Sequence, residues 1–152
     1  GYHAKADQKL DMNYTVRHHG KKTTSLMEIS GILEEHSSKL FRGTIDFLRG
    51  CSGAKGDERE DILMLGDDLV NQTIPLILCQ EEDVEGNHGA SMGKLDDSVL
   101  YYLSSRGIPE EKAEQIMARA RIDAVCDRIP QEMVRKLVEE YLGTEEDTDE
   151  TV

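Results

Sequence analysis

The sequence is poor in aromatic side chains, which limits the kind of core it can build. It has two phenylalanines, five tyrosines and no tryptophan in 152 residues. That length corresponds to one ordinary domain and is enough to bury a core. The core must therefore consist of Leu, Ile, Val, Met and Ala. This composition favours a repetitive β architecture with added helices over a compact core built around large rings.

Long apolar runs and an excess of positive charge are also absent. No apolar segment approaches the length of a membrane span, and no signal-peptide pattern is visible. The formal net charge is −13, and a surface this acidic repels phosphate backbones and anionic lipids. We therefore expect neither nucleic acid nor a membrane as a partner.

The chain has only three cysteines, Cys51, Cys79 and Cys126, and no CxxC motif. An odd number at wide spacing argues against a disulfide framework and against a zinc knuckle. A reducing, cytoplasmic compartment is the simplest match. We expect Cys51 to lie in a flexible loop, Cys79 to end a strand and Cys126 to lie on the apolar side of a helix. We interpret all three as structural.

Alternating apolar and polar residues predict a β-rich first part. The predicted strands cover residues 10–18, 23–33, 39–48, 61–66, 74–79 and, as a short sixth strand, 86–92. In the first strand His18 and His19 point to opposite faces, which argues against a metal site formed by both. Residues 50–60, GCSGAKGDERE, have the composition of a polar loop, but their spacing does not match a phosphate-binding loop. The pattern fits either a meandering antiparallel sandwich or a solenoid of stacked β-coils.

After Lys94 the apolar period becomes helical. Arg106-Gly107 is a typical helix end, and Pro109 and Pro130 are expected to begin two further helices. The apolar stripe of the first helix is Leu95, Val99, Tyr102 and Leu103. The last nine residues hold five acids and no base, which is typical of a disordered tail. We expect a β segment over residues 1–94, a helical subdomain over 95–143 and an acidic, disordered tail over 144–152.

Several short blocks, taken in their order, resemble one known family. The blocks are HHGK at 18–21 with TTS at 23–25, FRGTI at 41–45, LGDD at 65–68, IP at 74–75, HGA at 88–90, and LYYL at 100–103 with RGI at 106–108. Together they resemble the C-terminal part of the core domain in the SufB/SufD family, the scaffold proteins of iron–sulfur cluster assembly. The resemblance implies a partial right-handed parallel β-helix followed by a small helical subdomain.

The resemblance also implies partners and a role without catalysis. In the family the end of the β-helix pairs with a second scaffold subunit, here of SufB type or identical to this chain. The helical subdomain docks an ABC-type ATPase, SufC. The residues expected at that docking face are Val99, Tyr102, Leu103 and Arg106. No cofactor is expected to bind stably, and an iron–sulfur cluster would be held only transiently by the full complex.

His88 is the candidate cofactor-binding and metal-binding residue. It takes the place of the histidine in the SufD-type His-Gly-Ala motif, which lies near the subunit interface in that family. The SufB type has an acidic residue after this histidine and a cysteine on the strand before the Leu-Gly-Asp block. Here those positions hold Gly89 and Glu60, so the chain is more similar to SufD. From the residues alone, His88 either ligates iron or relays a proton, or it is a turn histidine bonded to backbone.

Two other interpretations stay open. A plain β-solenoid interaction module without an iron–sulfur role would need no site at all. A carbohydrate-active solenoid enzyme would need paired carboxylates and aromatic side chains to stack on sugars, and the shortage of aromatics argues against it. A solenoid cut at its N-terminal side exposes unpaired strand edges and an uncapped core. We therefore expect the isolated chain to bury that surface in a homodimer or with an exchanged element.

Overall fold

The computed structural model describes the backbone of residues 1–149 and the side-chain surroundings of residues 1–142. The chain divides into two compact units. The first, which we call the β unit, spans Tyr2–Asp97, and the second, the helical unit, begins at Ser98.

Seven strands form two parallel sheets in the β unit. Their bounds are β1 Tyr2–Ala4, β2 Lys9–His18, β3 Thr24–Glu34, β4 Ser38–Phe47, β5 Ala54–Leu65, β6 Val70–Cys79 and β7 Val84–Gly93. One sheet has the order β1-β3-β5-β7 and the other β2-β4-β6, and every pairing is parallel. Successive strands thus alternate between two sheets, so each coil stacks on the one before it. The fold is the expected parallel β-solenoid, and the antiparallel sandwich is excluded.

The interior of the solenoid lies between the two sheets. Every second residue of β4, from Lys39 to Phe47, is buried there. Ile45 meets Gly56 of β5 across the interior, where a Cβ at position 56 would lie 2.7 Å from Ile45 Cγ2. Burial of an Ile or Phe side chain contributes about 1.5–3 kcal/mol. The narrow space between the sheets is thus filled by pairing a small residue on one strand with a large residue on the opposite strand.

The turns between strands stack as regularly as the strands do. The Glu35 carboxylate accepts hydrogen bonds from the backbone N–H groups of Asp67 (3.2 Å) and Asp68 (2.8 Å) in the next coil. At the opposite corner, Lys22 N–H donates to the Ser52 carbonyl at 3.0 Å, and Ser52 Oγ donates to the Asp83 carboxylate at 2.7 Å. These bonds between coils fix the register of the strands that they flank.

The prediction of a loop over residues 50–60 is wrong from residue 54 onwards. A strand, β5, begins at Ala54 and runs unbroken to Leu65. The alternation was hidden because two of its inward residues, Glu58 and Glu60, are acids, yet both are buried. Cys51 is likewise not in a flexible loop. It is fully buried against Ile45, Phe47 and Ala54, and burial raises the pKa of its thiol.

The described part of the helical unit contains three helices, α1 Asp97–Ser105, α2 Glu110–Cys126 and α3 Glu132–Asp149. The predicted end of the first helix is confirmed. Gly107 has φ +82°, its N–H bonds to the Ser104 carbonyl, and the Ile108 N–H bonds to the Leu103 carbonyl, which is a Schellman motif. Cys126 is buried on α2 as expected.

Two features of the helices differ from the sequence pattern. The helical period predicts one apolar stripe on α2, formed by Ala113, Ile116, Met117, Ala120 and Ala124. In the structure Ile116 is exposed, and Ala118, outside that stripe, is buried. The helix α3 continues to Asp149 and so includes residues 144–149 of the segment expected to be disordered. Residues 150–152 of that segment lie outside the described part of the chain. Among the described residues, no helix is long and apolar enough to cross a membrane.

Candidate functional site at the open end of the solenoid

The last coil of the β unit leaves two strand edges free. Within the described chain no strand pairs with the outer edge of β6 or of β7. The inner face of this coil is therefore partly open to solvent, and apolar side chains on both faces of β6 are exposed. These side chains, together with one on β7, are Val70, Ile74, Leu76, Ile77, Leu78 and Met92. We call this surface the open end.

His88 lies on the inner face of β7 at the open end. Its backbone pairs in register with Glu58 of β5, one coil below. The side chain of His88 is 25% exposed, so the ring has one side in the interior and another within reach of a partner. His88 is not a turn histidine, because it is in the middle of a regular strand.

Glu58 is the nearest charged neighbour of His88. Its Oε1 lies 3.1 Å from His88 Nδ1, and its side chain is 2% exposed. Oε1 makes no hydrogen bond of good geometry to any described residue, so the contact with His88 is a close approach of two polar atoms and not an aligned hydrogen bond. The χ2 torsion of histidine is soft, so rotation of the imidazole changes this alignment at little cost.

The pKa of Glu58 is raised. Burial is the main cause, because it disfavours the ionised carboxyl. The nearby His88 opposes this effect, and the charge of Glu60 adds to it. The carboxyl group is therefore held in the interior without a full set of partners, and His88 is the group placed to compensate it.

A second polar cluster lies beside Glu58 in the same interior. Lys39 Nζ donates to Glu60 Oε1 at 2.5 Å and to Thr73 Oγ1 at 2.8 Å, and Thr73 Oγ1 donates to Glu60 Oε2 at 2.7 Å. The side chains of Lys39 and Glu60 are both fully buried. This triad is closed on itself, which makes it a structural element more than a reactive one.

The cluster also reaches the first coil. Burial and the charge of Glu60 raise the pKa of Tyr2, whose ring occupies the space above Gly31. The interior thus holds two carboxylates, Glu58 and Glu60, and one lysine. Lys39 pairs with Glu60, and His88 is the basic side chain in contact with Glu58.

The other histidine pair behaves as the strand pattern predicted. His18 is buried and stacks on Phe47 with ring centroids 4.8 Å apart, while His19 is exposed. Both ring nitrogens of His18 contact hydroxyls, Thr23 Oγ1 at 2.7 Å and Ser25 Oγ at 2.9 Å. His18 therefore has no free nitrogen to offer a metal.

No complete metal site exists within the described residues. Among them, no group of three or more His, Cys, Asp and Glu side chains is placed to hold an ion. Cys79 ends β6 as predicted, but it is exposed and not buried. The open end therefore offers one imidazole and one accessible thiol from this chain.

The comparisons with known proteins agree with this architecture. The family described as "SUF system FeS cluster assembly, SufBD core domain" matches residues 1–121. The chain belongs to the SufBD family. This confirms the membership expected from the sequence blocks.

The relatives include one SufD and other members of the SufBD family. The chain is 31% identical over 132 residues to the iron-sulfur cluster assembly protein SufD of Bacillus subtilis, which covers 87% of this chain and 30% of that protein. It is 30% identical to a chloroplastic SufBD family protein of Arabidopsis thaliana (82% of this chain, 22% of that protein). It is 28% identical to a SufBD family protein of Synechocystis (82% of this chain, 26% of that protein). The chain spans less than a third of the length of these relatives.

Sequence reasoning missed most of the surroundings of His88. The sequence pattern places Lys39 in a strand and both Glu58 and Glu60 in a loop, and it predicts no contact of any of them with His88. The one available signal was period-two alternation through the charged run 54–61, in which Ala54, Gly56, Glu58 and Glu60 share one face. Charged inward residues do not register in a pattern based on hydrophobicity.

Among the residues expected at the docking face, Tyr102 and Arg106 are exposed and lie in contact, with the guanidinium 5.0 Å from the ring centroid. Val99 and Leu103 are half-buried, and no residue of α1 is fully buried. On α3 most of the apolar stripe is exposed, including Met133, Leu137 and Tyr141.

Proposed function

We propose that this chain is a SufD-like, non-catalytic scaffold component in iron–sulfur cluster assembly. The observation that carries the proposal is the incomplete site at the open end. A member of the SufBD family presents one histidine, His88, on a strand with a free edge. One imidazole cannot hold a cluster, because clusters need several ligands and most of them are thiolates. The missing ligands must come from another subunit.

The free edges of β6 and β7 provide the surface for that subunit. An unpaired strand can add a strand from a partner through main-chain hydrogen bonds, and the exposed apolar side chains of β6 give such an interface its buried area. The partner is a second scaffold subunit, of SufB type or a second copy of this chain. In either case His88 is brought to the interface with the partner's ligands.

The helical unit is the docking surface for an ABC-type ATPase of SufC type. Tyr102 and Arg106 on α1 are exposed, and aromatic and arginine side chains are enriched at interface centres. Movement of the ATPase upon nucleotide binding would then be transmitted to the scaffold. The role is geometric, so no catalytic residue is assigned, and the iron–sulfur cluster is cargo and not a resident cofactor. The cytoplasmic location stays a prediction.

Anaerobic reconstitution tests the role of His88. The chain is combined with a SufB-type subunit, a SufC-type ATPase, iron and sulfide, and cluster formation is followed by absorbance and iron content. We expect His88→Ala to lower cluster formation strongly. His19→Ala is the matched control because His19 is exposed on a different coil, and it should retain wild-type levels.

The same experiment separates the alternative function. If the complex forms but wild type and His88→Ala take up equally little iron, the chain is a β-solenoid interaction module without an iron–sulfur role. The closed triad at Glu60, the position where the SufB type carries its cysteine, is the feature that favours this alternative.

A further inference from the structure

The interior site contains a carboxylate whose burial the fold does not require. Glu58 replaces what would be an apolar inward residue of β5, and an unpaired buried carboxylate costs free energy. Unlike Glu60, which is satisfied by Lys39 and Thr73, Glu58 has an oxygen, Oε1, that makes no aligned hydrogen bond within the described chain. That oxygen points to His88 Nδ1 at 3.1 Å.

The backbone around Glu58 is arranged to admit this carboxylate. Gly43 lies across the interior from it, and a Cβ at position 43 would overlap the carboxylate oxygens. Gly43 has an ordinary strand backbone, with no positive φ. The glycine is therefore explained by the space that Glu58 occupies and not by a special conformation.

We infer that Glu58 is a positioning residue for His88. The ring presents Nδ1 to Glu58 Oε1. An ionised carboxylate can only accept, so with Glu58 ionised Nδ1 carries the ring proton and donates a hydrogen bond to Oε1. The other nitrogen, Nε2, is then left with a free lone pair. A carboxylate that fixes the tautomer and orientation of a histidine is the usual outer partner of ligating histidines in proteins.

This inference rests on the proposed function, because it assumes that Nε2 is the atom offered to iron, to a cluster or to a proton in transit. It adds that Glu58 keeps the Nε2 lone pair of His88 available before the partner subunit binds. The fixed tautomer matters because an Nε2–H tautomer cannot ligate a metal through Nε2. Without Glu58, only some of the molecules would have the His88 tautomer that can ligate a metal through Nε2.

The tautomer of His88 is measurable by ¹⁵N NMR of histidine-labelled chain at one pH at which the imidazole is neutral. His88 is assigned from the His88→Ala spectrum, and His18, held by Thr23 and Ser25, is an internal reference. In wild type we expect His88 as the Nδ1–H tautomer. In Glu58→Ala the shifts should move to those of a mixture of tautomers, while His18 stays unchanged.

Two further variants complete the test. Glu58→Gln keeps the shape and a carbonyl acceptor, so it should preserve part of the tautomer bias. Glu85→Ala, on the exposed face of β7 and paired with Lys55 at 2.6 Å, should leave His88 unchanged. An unchanged His88 tautomer in folded Glu58→Ala and Glu58→Gln would overturn the inference, whatever the outcome for cluster assembly.

Assembly measurements then distinguish this inference from the function it rests on. With the partners present, Glu58→Ala should lower cluster formation about tenfold or more, as loss of an outer partner commonly does, with partial rescue by Glu58→Gln. A tautomer change in Glu58→Ala with full assembly by His88→Ala would uphold the positioning role and reject the proposed function. Normal assembly by Glu58→Ala, where His88→Ala fails, would overturn the inference.

Discussion

Gly43 and Glu58 face each other across the interior of the solenoid, and the carboxylate of Glu58 occupies the space that a side chain at position 43 would fill. Neither residue is informative alone. Gly43 lies in a predicted strand where glycine is unfavourable, and Glu58 lies in a run of charges. Together they form the cradle that holds an acid next to His88.

Replacement of Gly43 by alanine should destabilise the β unit by about 1–3 kcal/mol, because the added methyl overpacks the interior against Glu58. Urea unfolding followed by circular dichroism measures this change. Gly89→Ala is the matched control, since no described atom lies within 4 Å of its ideal Cβ. A Gly43→Ala variant as stable as Gly89→Ala would show that the cradle is not tightly packed.

The buried triad predicts a large and reversible stability effect. Lys39→Met leaves Glu60 charged and uncompensated in the interior, which should cost about 3–5 kcal/mol. The double variant Lys39→Met/Glu60→Leu removes both charges and should recover most of that loss. Lys55→Met is the surface comparison, because the exposed pair of Lys55 and Glu85 should contribute only about 0–1 kcal/mol. If the loss of stability in the double variant equals the sum of the losses in the two single variants, Lys39 and Glu60 are not energetically coupled.

The raised pKa of Glu58 predicts how stability depends on pH. A carboxyl whose pKa is higher in the folded than in the unfolded state carries no penalty below its unfolded pKa, about 4.3. It destabilises the folded state progressively as pH rises through the raised folded pKa. Glu58→Gln should therefore gain stability relative to wild type between acidic and neutral pH. If the stability advantage of Glu58→Gln over wild type instead decreases as pH rises over this range, the ionised carboxylate is favoured in the folded state.

The ATPase contact on α1 can be tested with two adjacent tyrosines. Tyr102 is 55% exposed and contacts Arg106, and Tyr101 is 78% exposed. If the predicted face is correct, Tyr102→Ala should weaken binding of a SufC-type ATPase by tenfold or more, about 1.4 kcal/mol. Tyr101→Ala should change it little. Titration calorimetry measures both, and equal losses in the two variants would place the interface elsewhere on the helix.

The sequence allowed the strands with an apolar inner face to be predicted. In β4, Phe41, Ile45 and Phe47 alternate with polar residues, and this strand was found with nearly its true bounds. The helix end at Gly107 was found because only a few residue types suit a left-handed position. Both features depend on local chemistry that is visible in one segment.

The surroundings of His88 could not be predicted in this way. Glu58 and His88 are 30 residues apart and meet only because β5 and β7 pair in one register. Parallel register in a solenoid is set by the stacked turns as well as by the strand itself, as the contacts of Glu35 with Asp67 and Asp68 show. The family resemblance identified His88, but the acid that contacts it is determined by the pairing of two strands and not by the local sequence.

We propose that the open end pairs with a second scaffold subunit and brings His88 to the interface. The most direct test is co-purification of the chain with a SufB-type subunit, comparing wild type with Leu76→Asp on β6 and with Leu26→Asp, which alters an exposed leucine of β3 away from the open end. We expect Leu76→Asp to abolish the complex although this variant still folds. We expect Leu26→Asp to bind the SufB-type subunit as wild type does. Full retention of the SufB-type subunit by folded Leu76→Asp would contradict it.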